Sequence, residues 1–76
     1  MKDDRVLVIH ILNEIRFLRK IAAGRTYDDL LSDEYFSHAV IRAIEVIGEA
    51  TKNLSTRLKE KHPGIAWREI AGMRDK

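Results

Sequence analysis

Between Glu34 and Glu60 one apolar stripe runs at helical spacing, and this stretch constrains the fold more than any other. Phe36, Val40, Ala43, Ile44, Ile47, Ala50, Leu54 and Leu58 all lie within about 60° of one line on a helix of 3.6 residues per turn. Asp33 or Ser32 offers an N-cap before it, and the "KHPGIAW" stretch closes it, because His62 is restricted by Pro63 and Gly64 is permissive. The spacing therefore predicts a single long helix over residues 34–60.

A second long helix is predicted before it, from about Asp3 to Ala23. Acids at its start and Lys20 followed by Gly24 at its end suit the two helix termini. Val8, Ile11, Leu12, Ile15, Leu18 and Ala22 recur on one stripe, which is the face expected to pack. Phe17 falls opposite Val8, with Val6 and Ile21 nearby, so the back of this helix is apolar too. Two readings stay open for that back face: exposed single residues, which are normal, or a second packing partner such as another copy of the chain.

Residues 24–33, "GRTYDDLLSD", connect the two, with Thr26, Asp28 and Asp29 placed to cap one short turn. A third, shorter helix begins near Ala66 or Trp67, and Trp67 is read as its core anchor. The fold class is therefore all-α: an antiparallel long-helix hairpin plus a shorter third helix, in one domain spanning residues 1–76.

Composition narrows the function. A chain of 76 residues without cysteine has no disulfide, no thiolate nucleophile and no Cys-ligated zinc, and it is near the size where one core barely suffices. No apolar run approaches the roughly 18 residues of a membrane span, and "MKDDRV" has acids where a signal peptide carries basic residues. A cytoplasmic protein with no membrane partner is expected. Net charge +2 is mildly basic and gives only a weak pointer to nucleic acid.

One side of the second helix carries chemistry. His38, Arg42, Glu45 and Glu49 lie within about 60° of each other, away from the apolar stripe. Such a ridge can position a phosphate, pair across a dimer seam, or simply be a solvated helix face. Tyr35, Ala39 and Val46 at its edge suggest partial burial. The three histidines sit on different elements, and His38 with Glu45 or Glu49 is too sparse a set for a metal, so neither metal nor cofactor is expected. Gly48 in mid-helix costs about 1 kcal/mol against alanine, which points to close approach of another backbone.

The phrases "AVIRAIEVIGEATKNL" (39–54) and "HPGIAWREIAGMRDK" (62–76) resemble the HepT-like branch of the HEPN superfamily, and the similarity covers nearly the whole chain. The Arg42–Glu45–Glu49 ridge and the run from Trp67 to Arg74 carry it. The resemblance implies a dimeric helical bundle that acts as a metal-independent endoribonuclease on RNA. It implies the toxin role in a prokaryotic toxin–antitoxin pair, with a minimal nucleotidyltransferase as cognate antitoxin. The family's Arg-x4-6-His motif, often continued by x-Tyr, places its arginine at Arg74, which becomes the catalytic residue expected here. Its histidine and tyrosine would fall after Lys76, so the domain reads as incomplete at its C-terminus and the 76-residue chain as inactive. The alternative is a non-catalytic helical module that dimerises or docks on the nucleotidyltransferase, using the ridge and the apolar back face. Generic nucleic-acid binding is a weaker third reading.

Overall fold

A computed structural model describes residues 3–73. They are all-helical: α1 (Asp4–Ala22), α2 (Tyr27–Ser32), α3 (Glu34–Lys52), α4 (Thr56–Lys61) and α5 (Trp67–Ala71). The long helices α1 and α3 pack on each other, α5 lies against α3, and α2 bridges the turn between the long pair.

Local cap chemistry explains most of the boundaries. The Asp3 carboxylate accepts from Arg5 N at 3.0 Å and starts α1. Gly24, at φ 74°, takes the left-handed conformation that turns the chain out of α1. Thr26 and Asp29 form a reciprocal capping box: Asp29 N donates to Thr26 Oγ1 at 3.2 Å, and Thr26 N donates to Asp29 Oδ2 at 2.9 Å. Asp33 ends α2 and caps α3, its Oδ1 accepting from Phe36 N at 3.1 Å. Arg25 donates to Asp33 Oδ2 at 2.9 Å and lies 4.6 Å from the centre of the Phe36 ring, so one guanidinium clamps the whole turn.

The helix expected over residues 34–60 is two helices. Asn53 interrupts it: its backbone N–H is shared between the Glu49 and Ala50 carbonyls at 3.2 Å each, and its Nδ2 donates to Glu49 O at 2.9 Å. Ser55 then caps α4, with Oγ accepting from Leu58 N at 3.1 Å. Asn and Ser side chains offer the backbone partners that a helix interior does not need, so they favour a break where a cap can form. The apolar phase hides the break, because Leu54 and Leu58 on either side still reach the same core.

That core gathers Leu7, Ala50 and Leu54, with Ile11, Leu58 and Trp67 packed against it. Trp67 Nε1 donates to His62 O at 3.0 Å and Lys59 O at 3.2 Å, satisfying carbonyls at the end of α4. Gly48 is buried where α5 crosses α3: a Cβ there would stand 3.2 Å from Ala71 O and 3.6 Å from Ile70 O. The backbone approach expected at this glycine is made by α5.

The packing face of α1 differs from the expected stripe. Leu7 is the deepest residue at 2% exposure, while Val8 (36%), Leu12 (43%) and Ile15 (40%) face outward. The inward row is Asp4, Leu7, Ile11, Glu14, Leu18 and Ile21, a rotation of about 60° from the predicted one. Because α1 is apolar on several sides, periodicity alone admits both phases. Contacts with α3 select the one that buries Leu7.

Candidate functional site

The polar ridge of α3 forms one wall of an open cleft of about 390 Å³, and α1 forms the other. Arg42, Glu45, Val46, Glu49 and Ala50 come from α3, Asn53 from its C-terminal cap, and Leu7 and His10 from α1. Helical spacing brings the ridge residues together: Arg42, Glu45 and Glu49 succeed one another at intervals of three and four, spanning about 10 Å at 1.5 Å rise per residue. Arg42 and Glu49 are exposed, whereas Glu45 and Val46 are half-buried at the α1 side. Leu7 and Ala50, both members of the core, make an apolar floor.

Three cleft residues escape the sequence reading: Leu7, His10 and Asn53. His10 stands apart from the other histidines along the chain, and only the α1–α3 register brings it to the ridge. Leu7 packs with Ala50 and Leu54, so the residue one helical turn further along α1 comes level with the ridge of an antiparallel α3. Asn53 lies inside what the periodicity predicts as helix. In the structure its Nδ2 donates to Glu49 Oε2 at 3.2 Å as well as to Glu49 O at 2.9 Å, so the residue that ends α3 also orients a cleft carboxylate.

The other sequence candidates lie elsewhere. His38 is exposed on α3 outside the cleft lining, and His62 is the C-cap of α4. Among the described residues no three His, Asp or Glu side chains are grouped to hold a metal ion. Trp67 sits with the core at the start of α5. Arg74, the residue to which the resemblance assigns catalysis, lies outside the described residues.

Two carboxylates away from the cleft are electrostatically distinctive. The Asp4 carboxylate is held below its ordinary range first by the Ser55 hydroxyl, which donates at 2.6 Å, and then by Ser55 N at 2.9 Å. Asp33 is held low by the hydrogen bond from Phe36 N and by that from Arg25. A second, apolar groove of about 270 Å³ opens between α1 and α4, lined by Asp4, Arg5, Val8, Ile9 and Leu58. Among the described residues no helix is long and apolar enough to cross a membrane.

Residues 11–76 match the family described as Ribonuclease HepT-like. Among curated proteins, the chain is 45% identical over 76 residues to "Putative RNase TTE0752" of Caldanaerobacter subterraneus subsp. tengcongensis, covering 100% of this chain and 68% of that one. It is 45% identical over 74 residues to "Probable ribonuclease HepT" of Thermococcus cleftensis, covering 97% of this chain and 62% of that one. It is also 42% identical over 74 residues to "Gamma-glutamylcyclotransferase and putative RNase MJ0434" of Methanocaldococcus jannaschii, covering 97% of this chain and 33% of that one. The chain thus spans between a third and about two thirds of the length of these relatives. No solved structure matches it.

Proposed function

Since this chain belongs to the HepT-like ribonuclease family, we propose that the protein is a HEPN-type, metal-independent endoribonuclease acting on RNA in the cytoplasm, as the toxin of a toxin–antitoxin pair. The observation that carries the reading is the family match over residues 11–76, which includes both the Arg42–Glu45–Glu49 ridge and Arg74. Its partners in this reading are a second copy of the chain, a minimal nucleotidyltransferase that acts as antitoxin, and the RNA substrate.

Cleavage through a ribose hydroxyl needs a proton acceptor for the 2′-OH and stabilisation of charge on the phosphate. Arg74 takes the second role, since a guanidinium grips a phosphate through two parallel hydrogen bonds. The family motif assigns the first to a histidine that follows the arginine. The test is an RNA-cleavage assay with the protein at its natural length, run in EDTA. Cleavage should persist without divalent metal, and Arg74→Ala should lower kcat by at least about a hundredfold. A protein inert on a broad RNA panel, or one whose cleavage survives Arg74→Ala, rejects this reading.

A further inference from the structure

A surface that bound RNA through its phosphates alone would want cations and no carboxylates, because each carboxylate repels a polyanion. The α1–α3 cleft is different. It presents Arg42 and His10 together with Glu45 and Glu49, above the apolar floor of Leu7 and Ala50. Glu49 in particular is built in: the Asn53 amide holds one of its oxygens at 3.2 Å, and Asn53 is itself fixed as the cap of α3. Among the described residues the ion pairs join Asp3 to Arg5 and Arg25 to Asp33, so no cation closes over the Glu49 carboxylate. An oriented carboxylate in a polyanion's path has acceptor capacity left for a donor from the ligand, and along an RNA backbone the recurring donor is the ribose 2′-hydroxyl.

We infer that this cleft is the ribose-reading pocket of the RNA path, with Glu49 accepting from a 2′-OH while Arg42 and His10 hold the adjoining phosphate. Glu49 here is a specificity residue, Asn53 positions it, and Arg42 contributes to affinity without regard to sugar. Arg42 and Glu49 lie about 10 Å apart along α3 at 1.5 Å rise per residue. The inference rests on the ribonuclease reading for the identity of the polymer, and adds to it the means by which RNA is told from DNA.

The test uses the natural-length protein carrying Arg74→Ala, so that RNA stays intact, and fluorescence anisotropy with an RNA and a DNA oligonucleotide of the same sequence. The quantity read is the ratio of the two Kd values. The parent should prefer RNA, and Glu49→Gln should collapse that preference roughly tenfold, the worth of one hydrogen bond to a charged group. Removing a negative charge strengthens both complexes, and the ratio cancels that gain. Glutamine keeps its one oxygen for the Asn53 amide, so the fold is preserved and an NH2 donor stands where the second carboxylate oxygen accepted from the ribose. Arg42→Ala should weaken both oligonucleotides alike and make the salt dependence shallower by about one counterion. An unchanged ratio in Glu49→Gln, with RNA cleavage intact in the Arg74-bearing protein, overturns the pocket and leaves the ribonuclease reading standing. A protein that neither binds nor cleaves RNA overturns both.

Discussion

Asp4 serves two helices at once. As a first-turn acid it complements the N-terminal end of the α1 dipole. Its carboxylate also accepts from Ser55 N and Ser55 Oγ, while that same Oγ caps α4. One side chain therefore ties the beginning of the chain to the turn between α3 and α4. The sign of its pH effect follows from the direction of its shift. A carboxylate whose pKa is lower in the folded protein than in the unfolded chain contributes stability above the ordinary range, near 3.9 for aspartate. That contribution is lost as pH falls through the lowered folded-state value. Asp33, lowered by Phe36 N and Arg25, adds in the same direction. Far-UV circular dichroism on acidification should show helicity falling below about pH 4. Asp4→Asn should be less stable at neutral pH and lose stability less steeply with acid. Parallel acid limbs for the two proteins would show that the Ser55 contacts do not set the response.

At the scale of elements, what the sequence reveals depends on whether a signal is local. The start of α2 and of α3 can be read directly, because Thr26, Asp29 and Asp33 bond to backbone groups within three residues of themselves. The Arg42–Glu45–Glu49 ridge is legible for the same reason, being fixed by the spacing of one helix. The break at Asn53 is not, since Leu54 and Leu58 carry the apolar phase straight across it. Nor are the rotation of α1 and the entry of His10 into the cleft, both of which depend on how α1 docks on α3. Gly48 is an intermediate case: its cost in a helix announces a neighbour, and only the structure says that the neighbour is α5. Alanine there regains about 1 kcal/mol of helix propensity but meets backbone at 3.2 Å, so α5 must retreat by a few tenths of an ångström. Gly48→Ala should therefore be close to neutral. Gly48→Val adds two further methyl groups against the same backbone and should cost about 1–3 kcal/mol. Since Trp67 is the lone tryptophan and opens α5, its emission should shift to the red in Gly48→Val before the main loss of helicity. Coincident transitions by fluorescence and circular dichroism would mean that α5 does not detach separately.

The described part of the chain is long and thin. The described residues extend 41 × 22 × 20 Å with a Cα radius of gyration of 13.7 Å, against about 11 Å for a compact domain of this length. The buried apolar set is small (Leu7, Phe36, Ala43, Ile47, Ala50 and Leu54), while Val8, Leu12 and Ile15 form a stripe at 36–43% exposure along α1. The apolar groove lined by Val8, Ile9 and Leu58 adjoins that stripe. Covering the stripe would add apolar burial to this limited core at about 25 cal/mol per Å². In the proposed homodimer the second copy provides that cover, and stability becomes linked to concentration by mass action. The melting temperature should then rise with protein concentration, and Leu12→Asp should abolish the rise. Because Leu12 faces outward, the substitution should leave the helicity of the dilute protein unchanged. Light scattering on the same samples separates the possible outcomes. A dimeric mass that falls to monomer in Leu12→Asp places the seam on the α1 stripe, whereas a dimer that survives the aspartate moves the seam to another face. A monomer at all concentrations, with a melting temperature that does not move, would remove the second copy from the list of partners.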